Sequence, residues 1–202
     1  MSTPAVAAPT PGRLVTVPNV ISVIRLCCLP LYLWLLFGRD SRVSAALLLG
    51  GLGATDWVDG WIARRYGQVS ELGKVLDPTA DRLLFLVGVG AMVVDGSVAA
   101  WFAWAVLVRE ALVSIVLVVL WFAGMKRFDV SWWGKGGTFG LMFAFPMFLM
   151  AAGVHGAAAT GWRTAAWIFG IPALAASYYA AWAYVPQMRA SLAAGRRERT
   201  VS

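Results

Sequence analysis

Residues 56–81 read DWVDGWIARRYGQVSELGKVLDPTAD, and Asp56, Asp59, Asp77 and Asp81 in this stretch are four of the chain's ten acidic residues. Apolar sequence long enough to cross a membrane borders it on both sides. A lone carboxylate in such surroundings is expensive, so four together need a partner. On a helix Asp56 and Asp59 stand three residues apart and Asp77 and Asp81 four apart. Each pair then shares one face, with a rise of roughly 4.5 to 6 Å between its members. Like charges this close stay ionised in a poorly solvated site only if cations sit among them. Carboxylates without Cys or His are hard oxygen ligands, which suit Mg²⁺, Mn²⁺ or Ca²⁺ and argue against zinc. One or two divalent ions, Mg²⁺ or Mn²⁺, are expected on Asp56, Asp59, Asp77 and Asp81.

The same stretch makes room for a ligand. Gly60 and Ala63 remove bulk just past Asp59, Arg64 and Arg65 add two guanidinium groups, and Gly73 clears space one turn before Asp77. Carboxylate-held metal beside Arg is equipment for gripping a pyrophosphate and displacing at phosphorus. A diphosphate substrate is therefore expected.

Asp56-x2-Asp59-Gly60-x2-Ala63-Arg64-x8-Gly73-x3-Asp77-x3-Asp81 resembles, at all eight fixed positions, the signature of the CDP-alcohol phosphotransferases, integral membrane enzymes of phospholipid synthesis. The V-P-N-V-I-S-V-I-R-L opening, the V-R-E segment and the G-K-x-x-T segment are similar to the branch making phosphatidylglycerol phosphate or cardiolipin. The resemblance implies transfer of a phosphatidyl group from CDP-diacylglycerol to a glycerol-type acceptor, with release of CMP. It implies that Asp56, Gly60, Ala63, Arg64, Gly73 and Asp77 frame the CDP moiety, and that the protein is a homodimer. Asp81 is the expected catalytic base, since like charges and desolvation raise a carboxylate's proton affinity. No Cys or His lies among the acids, and direct displacement without a covalent intermediate is expected.

Composition places the chain in the polytopic membrane class. Of 202 residues 60% are hydrophobic and 13% charged, with a mean hydropathy of +0.72. The pattern predicts an all-α protein with six transmembrane helices, near 18–38, 42–62, 75–94, 98–123, 135–154 and 163–186. Residues 1–12 are expected to be a disordered tail, 13–188 the membrane domain and 189–202 a basic cytoplasmic tail. Antiparallel spans put three cations, Arg39, Arg42 and Arg163, on one side and eleven on the other. That bias predicts a multi-pass protein of the cell membrane with its aspartates and both termini in the cytoplasm. The formal charge of +7 is spread over the ends of apolar runs, which matches anionic lipid and argues against nucleic acid. Cys27 and Cys28 are adjacent and cannot staple distant segments.

Three further cations are candidate acceptor-binding residues: Arg25 and Arg109 inside spans, and Lys135 in Gly134-Lys135-Gly136-Gly137-Thr138. Arg25 can equally snorkel to the interface. Arg109 and Glu110 are adjacent, so on a helix they splay by about 100° and are not expected to pair. The resemblance suggests that enzymes using glycerol 3-phosphate carry a second lysine where Gly137 stands. Its absence, and the room left by Gly136 and Gly137, favour a bulky lipid acceptor, phosphatidylglycerol, over glycerol 3-phosphate. A reading of another class, an intramembrane cation transporter using the four aspartates, shares the metal site but predicts no release of CMP.

Overall fold

The computed structural model describes residues 17–66, 73–122 and 132–201, with side chains described for 23–55, 82–115 and 136–183. The expected N-terminal tail lies outside the described residues. Among the described residues the secondary structure is helical throughout: α1 Val17–Leu33, α2 Arg42–Tyr66, α3 Gly73–Asp95, α4 Ala100–Phe122, α5 Trp132–Gly153 and α6 Gly156–Val201. A π-helical turn, Trp34–Gly38, follows α1 four residues after Pro30, and the Arg39 amide closes it on the Trp34 carbonyl at 2.9 Å. Pro18 falls in the first turn of α1, where its missing N–H costs nothing.

The boundaries read least well are those of α6, which ends at Val201 rather than near 186. It begins at Gly156 rather than near 163, so Arg163 is an exposed helical residue and not a loop cation. The Ala157-Ala158-Ala159 run is strong helix-forming sequence, and Gly156, at φ +65°, takes the left-handed turn needed to start it three residues after α5 ends at Gly153. The α3–α4 link is equally tight. Gly96, at φ +77°, donates to Val93 at 3.2 Å while Ser97 donates to Met92 at 3.1 Å, the paired bonds of a glycine-stopped helix.

α1 packs on α2 and α3, α2 on α5, α5 on α6, α6 on α4 and α4 on α3, a closed circuit. Its core lies toward the α3–α4 turn. Tyr32 is fully buried and its hydroxyl donates to the Gly88 carbonyl of α3 at 3.1 Å, while Phe102, Phe145, Phe148 and Trp167 meet edge to face or tilted between α4, α5 and α6. Arg42, at the start of α2, grips Asp95 at the end of α3 through two hydrogen bonds of 2.9 and 3.0 Å.

Small residues set the helix spacing. A Cβ on Gly140 would lie 2.6 Å from the Ala173 Cβ, and one on Gly137 would lie 2.9 Å from the Ser177 backbone nitrogen. Helix approach of this kind belongs to apolar bundles, where backbone proximity replaces hydrophobic drive. The outside is apolar to match. On α4, Trp101, Trp104, Val108, Leu112 and Ile115 are all exposed at helical spacing. Among the described residues, Gly136–Gly153 is long and apolar enough to cross a membrane.

Candidate functional site

The motif divides between two helices. Asp56, Asp59, Gly60, Ala63 and Arg64 belong to α2, and Gly73, Asp77 and Asp81 to α3; their side chains lie outside the described residues, as do residues 67–72 between the helices. Among the described residues no cluster of three metal-ligating side chains occurs. The donor chemistry of the motif nevertheless suits a hard divalent ion: its helical segments carry carboxylates at one-turn spacing without His or Cys.

The faces that continue from these aspartates do have described side chains. They line a partly open cavity of about 200 Å³ between α1, α2, α3, α4 and α5. On α2 the lining residues Leu49, Leu52 and Gly53 run, at spacings of three and four, into Asp56, Asp59 and Ala63. On α3 Phe85 and Gly88 continue the stripe of Asp77 and Asp81. The cavity and the motif thus share one face of each helix.

Three arginines reach this cavity: Arg25 from α1, Arg82 from α3 and Arg109 from α4. Of the seventeen Lys and Arg residues these are the three that the count of loop charges leaves inside apolar segments. Arg25 is 3% exposed and Arg109 8%, so Arg25 does not snorkel to the lipid surface. Arg109 and Glu110 were expected to splay apart, yet Arg109 Nη1 donates to Glu110 Oε2 at 2.8 Å. The helix does send their Cβ atoms apart, but the guanidinium and carboxylate stems are long enough to curl back along it. Arg109 Nε is buried without a hydrogen-bond partner, an orphan donor that a ligand would satisfy. Glu110 and Thr138 also line it, and the rest of the wall is apolar, including Phe85, Leu141, Met142, Phe145 and Pro146.

Lys135 lies in the first turn of α5, its side chain outside the described residues. It stands one turn before Thr138, which lines the cavity, and so belongs to the same face of α5. Gly137 is placed differently from the sequence reading. It is buried against Ser177 and Ala173 of α6, and serves helix packing rather than space for an acceptor. The sequence reading assigned no acceptor role to Arg82; its signal was there as a third cation within an apolar segment, directly after Asp81.

The family model for CDP-alcohol phosphatidyltransferase matches residues 15–183. The chain is 37% identical over 164 residues, 77% of its own length and 76% of the relative's, to "Cardiolipin synthase (CMP-forming)" of Streptomyces coelicolor. It is 31% identical over 147 residues, 69% of its length and 68% of the relative's, to "Probable phosphatidylglycerophosphate synthase" of Mycobacterium tuberculosis. A "CDP-diacylglycerol--glycerol-3-phosphate 3-phosphatidyltransferase" of Haemophilus influenzae is 27% identical over 136 residues, 63% of this chain and 72% of the relative. These matches set aside the transporter reading. The chain belongs to the CDP-alcohol phosphatidyltransferase family and is a transferase of phospholipid biosynthesis.

Proposed function

We propose that this enzyme transfers the phosphatidyl group of CDP-diacylglycerol to a primary hydroxyl of phosphatidylglycerol, forming cardiolipin and CMP. The observation that carries this reading is the cavity lined by Arg25, Arg82 and Arg109, with Glu110 and Thr138 as its other polar side chains and apolar residues elsewhere, on the helix faces that continue into the motif. A phosphodiester flanked by hydrocarbon matches that lining, because its charge meets guanidinium and its glycerol and acyl portions meet Leu, Phe and Met. Glycerol 3-phosphate has no part that needs the apolar wall. The longer and more identical match to the relative named a cardiolipin synthase supports the same acceptor.

In this reading Gly60, Ala63, Arg64 and Gly73, with Asp56 and Asp77, frame the CDP end. Asp56, Asp59, Asp77 and Asp81 hold Mg²⁺ or Mn²⁺, which when bound neutralises negative charge on the pyrophosphate. Arg25, Arg109 and Lys135 hold the acceptor by its phosphate. Asp81 takes the proton of the acceptor's hydroxyl as its oxygen bonds to the lipid-linked phosphorus. The bond from that phosphorus to the CMP oxygen breaks, and CMP leaves with the electron pair.

The apolar outer surface supports six spans in the cell membrane, and the charge bias supports aspartates and both termini on the cytoplasmic side. The homodimer implied by the family resemblance belongs to this reading, the exposed apolar stripe on α4 giving it a surface. The test is a transfer assay on purified protein with CDP-diacylglycerol and one acceptor at a time, the lipid product identified by mass. Cardiolipin from phosphatidylglycerol is expected. Efficient product from glycerol 3-phosphate, with none from phosphatidylglycerol, would reverse the acceptor assignment.

A further inference from the structure

Arg82 is the cavity's third guanidinium, and it is held from across the helix circuit. Its Nη1 donates to the hydroxyl of Ser114 on α4, and that hydroxyl donates in turn to the Glu110 carbonyl at 2.7 Å. One Ser oxygen can accept and donate at once, so both bonds are satisfied together. Glu110 and Ser114 stand one turn apart on α4. From that single face of α4, the Glu110 carboxylate holds Arg109 and the Ser114 hydroxyl holds Arg82. The exposed stripe of Trp104, Val108, Leu112 and Ile115 occupies other positions of the helix.

A half-buried arginine on an apolar helix face is costly unless something uses its charge. Glu110 is engaged by Arg109, and Arg82 is held by a neutral hydroxyl, which fixes its direction without neutralising it. The Arg82 guanidinium therefore lines the cavity with its positive charge uncompensated by that bond. It also follows directly after Asp81, so one turn of α3 carries both the expected proton acceptor and this cation.

We infer that Arg82, aimed by Ser114, binds the phosphate of the acceptor beside Arg109, and that this pair selects an acceptor carrying an anionic phosphate next to the attacking hydroxyl. The inference rests on the reading of the cavity as the acceptor site. Arg82 is a binding residue in this account, and Ser114 is a positioning residue that acts through it. A guanidinium bonded to phosphate by charge-assisted hydrogen bonds contributes to recognition more than a neutral bond does.

The experiment measures KM for two acceptors, phosphatidylglycerol and an uncharged lipid with the same glycerol head but an ether in place of the phosphate, and KM for CDP-diacylglycerol. Arg82→Gln is expected to raise KM for phosphatidylglycerol by about tenfold or more, since a hydrogen bond to a charged group is lost. KM for the uncharged acceptor and for CDP-diacylglycerol should change by less than about twofold. Arg82→Lys keeps the charge and should fall between. Ser114→Ala should raise KM for phosphatidylglycerol by about fivefold, and Ser114→Thr, which restores the hydroxyl, should return it toward wild type. Should Arg82→Gln fail to fold, Arg82→Lys and the Ser114 pair carry the test. An Arg82→Gln enzyme that penalises charged and uncharged acceptors alike overturns the inference. So does one that leaves phosphatidylglycerol unaffected while Arg109→Gln raises its KM, an outcome that keeps the cavity as acceptor site. If neither arginine variant moves KM for phosphatidylglycerol, the cavity reading fails and the inference with it.

Discussion

Replacing Asp81 by Asn keeps the side chain's size and removes its capacity to take a proton. Asp81→Asn should therefore lose turnover by ~10²-fold or more while CDP-diacylglycerol still binds, and Asp56→Ala should lose binding as well. Initial rates and donor KM for the two variants decide it, and near-normal turnover in Asp81→Asn would remove that residue from its role. Chelation acts on the same group of residues. EDTA should abolish transfer and added Mg²⁺ or Mn²⁺ should restore it, because four carboxylates at one-turn spacing repel one another without a cation. At this scale the motif was legible because its chemistry lies in local spacing. The Arg82–Ser114 bond was not, since residues 32 apart in sequence meet only through the packing of α3 on α4. The Arg109–Glu110 pair was misread for a different reason: helical geometry fixes where a side chain begins, and long flexible stems decide where it ends.

Helix packing gives Gly137 a meaning opposite to the one its neighbours suggested. In sequence it reads as a missing lysine, hence as room for a larger acceptor. In the fold it is buried where α5 meets α6, and an added Cβ would crowd Ser177 and Ala173 at 2.9–3.0 Å. Gly137→Lys should thus fail to convert the enzyme to glycerol 3-phosphate. It should instead destabilise the α5–α6 contact by roughly 1 to 3 kcal/mol, read as a lowered melting temperature in detergent. A stable Gly137→Lys enzyme with newly acquired use of glycerol 3-phosphate would contradict this placement. The helices themselves were legible, because apolar runs of membrane length with Gly, Pro and charged interruptions mark their ends. The start of α6 was missed because Arg163 was weighed as a boundary and the alanines before it were not.

For the whole molecule, the described helices form a closed circuit with an apolar exterior and a cavity whose helix faces continue into the motif. The helical class was legible from the apolar runs, whereas the circuit was not, since which helix faces α5 depends on the close approaches at Gly53, Gly137 and Gly140. Charge bias predicts orientation. With Cys27 and Cys28 replaced by Ala, Arg197→Cys should react with an impermeant thiol reagent only after the membrane is opened. Labelling in intact cells would invert the topology.

The central claim is that the arginine-lined cavity receives the acceptor's phosphate, and the direct measurement is an experimental structure of the enzyme bound to phosphatidylglycerol. The account predicts the lipid's phosphate inside the cavity, within ~3 Å hydrogen-bond reach of the Arg109 and Arg82 guanidinium groups. A phosphate seated instead outside the helix circuit, in the apolar groove that Phe139 and Phe169 line between α5 and α6, would contradict it.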